Sequence, residues 1–451
     1  MRMGEISAAK RIWGWYFFDW ASQPYNTLLL TFVFAPYIKE ILGDGSRAQA
    51  AWGYGVGIAG LLIAAAAPVL GSMADRCGAH MRLRFIWGFS ALYMVGAWGV
   101  WFASPDAPNL TMTLIFFGIG LIGMEFATIF TNAMMPELGP RAAIGRISGT
   151  GWAFGYLGGL VALVLVLVLF AENAATGTTL IGIPPVLGLD PALREGTRAV
   201  GPFTALWFAV FMIPFFAWVR EKPRRPRVAL ATAARMALPD LRAAFAALPG
   251  RPSLMAFLGA SMLYRDALNG FYFFGGIYAA GVLGWNVIDV GVFGIIAIIA
   301  ATIFAWIGGR CDAWVGPKPV IVVSIVTLVI ATLAVIFISR DSVFGVVVPA
   351  GSRLPDTAFF VVGAVIGSAG GALQASSRSM LVTQADPAQM TTAFGLYALA
   401  GKATAFVAPF SVAIATDLTG SQKMGITPLL ALFLFGLFLL IWVKPDGDPL
   451  Q

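Results

Sequence analysis

The chain has 451 residues, of which 59% are hydrophobic and only 11% charged, with a mean hydropathy of +0.83. A soluble domain carries about 25% charged residues, so this chain cannot cover a water-facing surface and reads as an integral membrane protein. Its net charge of +7 does not imply nucleic acid, because Lys and Arg collect in the cytoplasmic loops of inner-membrane proteins.

Several apolar runs exceed the ~18 residues that span a bilayer. Segments of period two are absent, which disfavours an outer-membrane barrel. The first apolar run is too long for a signal-peptide core and reads as a retained span. Cys77 and Cys311 lie far apart without CxxC spacing, so neither a metal site nor a disulfide framework is expected. The single histidine, His80, leaves no His-based triad or His cluster, and no phosphate-binding loop is present. No enzymatic activity, no metal and no cofactor are expected.

In chain order, twelve spans are predicted at roughly 12–41, 49–74, 84–103, 109–135, 148–171, 201–219, 252–282, 287–309, 319–339, 356–383, 391–416 and 425–443. The pattern predicts an all-α membrane protein of two six-helix halves, 1–219 and 252–451. They are joined by a basic linker, 220–251. In the linker Leu238, Leu241, Phe245 and Leu248 share a helical face with Pro239 near the start, as in an amphipathic helix lying on the inner leaflet.

With the N-terminus inside, the outer loops hold only Arg47, Arg194, Arg198, Arg340, Arg353 and Lys423, and the other loop cations fall inside. Both termini are therefore expected in the cytoplasm of a bacterial inner membrane.

Polar residues recur at helical spacing inside these spans. In span one, Asp19, Ser22, Gln23 and Asn26 stand at i, i+3, i+4 and i+7 and form one face. Lipid offers no hydrogen bonds, so that face must meet a cavity or protein. Pro24 removes a backbone hydrogen bond and loosens the helix there. Span four repeats the pattern with Glu125, Thr128 and Asn132, span seven with Ser261, Arg265, Asn269 and Tyr272, and span ten with Gln374, Ser377 and Arg378. Span eleven holds Lys402.

The deeper acids are Asp19, Glu125 and Asp266, and the deeper bases are Arg265, Arg378 and Lys402. Each alone near the bilayer centre costs about 2.5–3.5 kcal/mol, so most must be paired or hydrated. Arg265 with Asp266 reads equally as a local structural pair, and Lys402 as a packing residue.

The chain also repeats itself. GSMADRCG at 71–78 ends span two and GGRCDAWVG at 308–316 ends span eight. Asp19 matches Asp266 at a spacing of 247 residues, while Gly149 and Gly155 match Gly395 and Gly401 at 246. Parallel repeats of this kind are a transporter signature.

Twelve spans in two halves with GxxxDRxG after span two resemble the major facilitator superfamily. The resemblance implies that Gly71, Asp75 and Arg76, with Asp312 in the second copy, form a cytoplasmic gate. It also implies that spans one, four, seven and ten line a central cavity. The runs WYFFDWASQPYNTLLLTFVFAPY, NAMMPELGPRAAIGRISGTGWAFGYLGG and QASSRSMLVTQADPAQMTTAFGLYALAGKATAFVAPF are similar to the vacuole-effluxer-like branch, which includes fungal vacuolar amino-acid effluxers.

The expected function is secondary active transport of an amino-acid-like solute by alternating access, as proton-coupled efflux. Asp19 and Glu125 are the proton-carrier candidates. Ser22, Gln23, Asn26, Asn132, Arg265, Asp266, Asn269, Gln374, Arg378 and Lys402 are the solute-binding candidates. The expected partners are a small-molecule solute, protons and membrane lipid, with no nucleic acid and a monomeric chain. Alternatives are a permease for a peptide, sugar conjugate or cell-wall fragment, and a non-transporting sensor on the same fold.

Overall fold

The computed structural model describes residues 6–34, 36–38, 45–78, 80–106, 109–221, 228–285 and 287–449. Arg2, the basic run at 222–227 and the end of the predicted span 12–41 lie outside these residues. The described chain is helical apart from a two-stranded antiparallel ribbon, Ser342–Val343 with Val346–Val347.

The helices are α1 (Ala8–Pro24), α2 (Gly45–Cys77), α3 (Met81–Gly99), α4 (Leu110–Ala133), α5 (Arg141–Leu169), α6 (Val200–Phe211) and α7 (Ile213–Trp218). They continue as α8 (Leu230–Ala247), α9 (Pro252–Leu283), α10 (Val287–Val315), α11 (Pro317–Ile336), α12 (Leu354–Gln384), α13 (Met390–Ala403), α14 (Val407–Thr419) and α15 (Thr427–Leu439).

Ten helical stretches among the described residues are long and apolar enough to cross a bilayer, against the twelve expected. The two that fall short are the predicted first and seventh spans. Both carry a dense polar stripe, which lowers hydropathy without shortening the helix: α9 runs for 32 residues through Arg265 and Asp266. Pro24 supplies no N–H to the Trp20 carbonyl one turn back. The Trp207 indole N–H donates to that carbonyl instead, at 3.1 Å. Immediately after Pro24 the chain widens into a π-helical segment, Tyr25–Phe32.

The chain divides into two compact units, Met1–Leu138 with Phe154–Ala233, and Gly139–Ala153 with Ala234–Gln451. The same helix pairings recur inside each. In the first unit α4 packs on α2 and α3, α6 packs on α3, and α1 packs on α6 and α7. In the second, α12 packs on α10 and α11, α15 packs on α11, and α9 packs on α15. Small residues set the closest approaches. A Cβ at Gly96 would meet the backbone of Gly120, and one at Gly367 would meet the backbone of Ala297.

Helix α8 departs in detail from the linker expectation. Pro239 lies inside the helix rather than near its start. Ala233 and Ala237 are buried, while Leu238 and Phe245 are exposed.

Candidate functional site

In the first unit Asp19, Gln23 and Asn26 of the polar stripe are half-buried, as are Phe17 and Trp20 on another face of α1, while Ser22 is buried. The glycines of GYLGG bring α5 against this stripe. A Cβ at Gly155 would stand 3.2 Å from the Asp19 Cβ, and one at Gly159 would stand 2.8 Å from the Gln23 Cγ. On α4, Glu125, Thr128 and Asn132 are likewise half-buried among buried neighbours.

The gate motif in this unit centres on a residue that the motif itself does not contain. Arg82 is 1% exposed and donates to Asp75 at 3.1 Å, to Glu137 at 3.0 Å and to the Ala133 carbonyl at 3.2 Å. Gly71 is buried and Arg76 half-buried. Sequence reasoning placed Arg82 only among the loop cations. Asp75 lies in the last turn of α2 and Arg82 in the first turn of α3, so the pair closes across the turn between two helices, which no helical spacing announces.

In the second unit the open side of α9 carries Arg265, Asn269 and Tyr272, with Asn269 and Tyr272 exposed. Arg265 is held by α13. Its guanidinium donates to the Tyr397 carbonyl at 3.1 Å and lies 4.2 Å from the Tyr397 ring centroid, a cation–π distance. Gly401 makes room for it, since a Cβ there would come within 2.7 Å of the guanidinium.

Arg265 follows Asp19 by 246 residues, and Gly401 follows Gly155 by the same 246. The residue equivalent to Asp19 is therefore Arg265 rather than Asp266. The two units place an acid and a base at one repeat position, each seated on an equivalent glycine. Asn269 and Tyr272 likewise stand at the repeat positions of Gln23 and Asn26.

Asp266 is turned away from that open side. A helix turns 100° per residue, so neighbours cannot share a face. Asp266 is 3% exposed and accepts from the Ala408 N–H at 2.9 Å. Ser261 is buried and bonds to the Leu258 carbonyl.

On α12, Gln374 is half-buried, but Ser377 is committed to the Tyr264 hydroxyl at 2.8 Å. Arg378 is 4% exposed and donates to the Ser148 hydroxyl at 2.9 Å and the Ser148 carbonyl at 2.7 Å. The structure thus separates Arg378 from Arg265: one is fastened to the first part of α5, the other lies on an open helix face. Lys402 is half-buried on α13. Asp312 is buried against Gly145 and accepts from the Ser379 hydroxyl. Among the described residues no three His, Cys, Asp or Glu side chains come together as a metal site.

Residues 139–447, more than half the chain, match the family model described as vacuole effluxer Atg22 like. The chain belongs to that family. Across 96% of its length it is 21% identical to YxiO of Bacillus subtilis, a transporter of the major facilitator type, and covers 94% of that protein. It is 24% identical to autophagy-related protein 22 of Cryptococcus neoformans over 64% of this chain and 48% of the fungal one. Its fold is similar to that of the human organic anion transporter MFSD10, with a TM-score of 0.69 at 17% identity over 96% of this chain and 99% of that one. The Atg22-like chain is a multi-pass membrane protein of the major facilitator superfamily and a secondary transporter, not an enzyme.

Proposed function

We propose that the protein exports an amino-acid-like zwitterion across a bacterial inner membrane by proton-coupled alternating access, as a monomer with both termini in the cytoplasm. One observation carries this reading. Asp19 and Arg265 stand 246 residues apart, each half-buried and each beside a glycine, Gly155 and Gly401, that repeats at the same spacing. A carboxylate suits a solute ammonium, and a guanidinium backed by an aromatic ring suits a solute carboxylate in bidentate contact. Gln23, Asn26, Glu125 and Asn132 in the first unit, with Asn269, Gln374 and Lys402 in the second, supply further polar groups for the solute path. Efflux as the direction follows the family's description. Arg378 serves packing, because its guanidinium is already bonded to Ser148.

The gate role of Gly71, Asp75, Arg76 and Asp312 belongs to the same reading, with Arg82 as the cation that Asp75 answers to. Asp19 and Glu125 are the carriers proposed for the proton, as the carboxylates on the polar faces of the first and fourth spans.

The test is a proteoliposome screen of amino acids, short peptides and sugar conjugates under an imposed pH gradient. The reading expects gradient-dependent amino-acid flux that Asp19→Asn abolishes. It also expects Arg265→Gln to raise KM steeply for carboxylate-bearing solutes and little for their amides. Flux of sugar conjugates alone, or equal losses for acids and amides, would overturn it.

A further inference from the structure

The apolar stretch Pro387–Thr419 has the length of one membrane crossing, yet its helix stops at Ala403 and resumes at Val407. Pro409 explains the restart. In a continuous helix its ring would meet the carbonyl of residue 405 and its missing N–H would break the ladder. A restart at Val407 puts Pro409 in the first turn, where no intrahelical donor is required.

The break leaves amides to satisfy. The Val407 N–H donates to the Thr404 carbonyl at 2.8 Å, and the Ala408 N–H donates to Asp266 Oδ2 at 2.9 Å. The other carboxylate oxygen of Asp266, Oδ1, is buried and has no hydrogen-bond partner among the described residues.

A buried ionised oxygen without a partner carries a heavy desolvation cost. Arg265 does not relieve it, because its guanidinium is held at Tyr397 and Gly401. The ionisable groups on the elements packed against α9 are Lys402 and Tyr397 on α13, Asp356 and Arg378 on α12, Asp289, Arg310, Cys311 and Asp312 on α10, Asp417 on α14 and Lys423 in the short helix Gln422–Gly425. None of them is hydrogen-bonded to Asp266. What the site asks for is a small positive charge. The break also leaves carbonyls in the last turn of α13 without helical partners, and such oxygens are hard donors suited to a hard cation.

Resting on the transport reading above, we propose that Asp266 is a further carboxylate, besides Asp19 and Glu125, through which transport is coupled to a monovalent cation, Na+ or a proton, bound at the break between α13 and α14. Neutralising Oδ1 weakens the hold of the same carboxylate on the Ala408 N–H. Occupancy by the cation thereby sets how firmly α14 is tied to α9.

The competing role is a helix cap alone, and Asp266→Asn separates the two. The amide oxygen still accepts from Ala408, but the charge is gone. On purified protein without solute, binding of sodium-22 and the pH titration of the carboxyl infrared band are compared with wild type. The Na+ form of the proposal expects sodium binding to be lost in Asp266→Asn. The proton form expects a titrating carboxyl band to vanish. In proteoliposomes either form expects solute exchange to persist while gradient-driven accumulation is lost. Sodium binding, carboxyl band and accumulation all unchanged in Asp266→Asn would reduce Asp266 to a cap and overturn the proposal.

Should Asp266→Asn not fold, Asp266→Glu decides. A shifted sodium affinity or a displaced band supports the proposal, and neither moving overturns it. Because the binding measurements use no solute, failure to find any transported solute would count against the proposed function and leave this inference standing.

Discussion

Arg82 shows how far burial changes the worth of a charge. Asp75 and Glu137 both rely on it, and all three side chains are nearly or mostly buried. Removing one partner of a buried ion pair costs about 3–5 kcal/mol, because the other charge is left uncompensated. Arg82→Leu is therefore expected to lower the thermal midpoint in detergent sharply, with Arg82→Lys intermediate, since a compact ammonium keeps the charge but not the planar fork that reaches Asp75, Glu137 and the Ala133 carbonyl together. Arg141 with Asp446 is the control: both side chains are more than half exposed, where a pair is worth about 0–1 kcal/mol. Arg141→Ala should leave the midpoint in place.

The two seating glycines separate in the same way. At Gly401 an added Cβ would press on the guanidinium of Arg265, the far end of a flexible side chain. Gly401→Ala is expected to keep the fold and displace Arg265 from Tyr397, so that KM rises while the thermal midpoint holds. At Gly155 the Cβ would meet the Cβ and backbone oxygen of Asp19, each at 3.2 Å, which can yield only by moving α1. Gly155→Ala should cost stability as well as transport, and thermal unfolding run beside transport kinetics reads the difference.

At the scale of helices, Gly363, Gly367 and Gly371 stand at i, i+4 and i+8 on α12 and lie against Phe293, Ala297 and Ala301 of α10. Without a side chain the backbones approach until dispersion contacts hold them, the usual means of helix association in lipid. Gly367→Leu is expected to force the pair apart and abolish the monodisperse peak in size-exclusion chromatography. Gly57→Ala, where nothing lies within 4 Å, should elute as wild type.

These packing helices were legible from their apolar length, and the polar stripes from spacing at i, i+4 and i+7. The register of the repeat was legible only in part. Asp19 and Asp266 look equivalent because both are acids, but a one-residue slip rotates a helix by 100°. The glycines, spaced at 246, carry the true register, and the shared glycine seat identifies Arg265 as the match. The break in the eleventh span had one sequence signal, Pro409, which a long apolar run conceals. The burial of Arg82 had almost none, because hydropathy reports that a loop is charged and not which of its charges folds inward.

At the scale of the molecule, the 246-residue repeat predicts halves at 1–219 and 252–451, and the contacts assign most of the first to one unit and the second to the other. The first part of α5, through Ala153, is the exception: it belongs by sequence to the first half and by packing to the second unit. Ser148 receives Arg378 there, and a Cβ at Gly149 would meet the backbone of Gly309 at 2.5 Å. Hydrophobic periodicity says that a helix is buried and is silent about its neighbour, so this assignment had to come from the structure.

Orientation in the bilayer is the complementary case, because it rests on where Lys and Arg accumulate and not on packing. The chain carries its own probe for it. Cys311 is exposed in the last turns of α10, at the end that the charge pattern assigns to the cytoplasm, while Cys77 is buried at the end of α2. A membrane-impermeant maleimide is expected to label the protein in inverted vesicles and to leave it unlabelled in right-side-out vesicles, with Cys311→Ser removing the signal. Labelling confined to right-side-out vesicles would invert the topology. It would place the Asp75–Arg82–Glu137 cluster at the outer face and turn the proposed cytoplasmic gate into an external one.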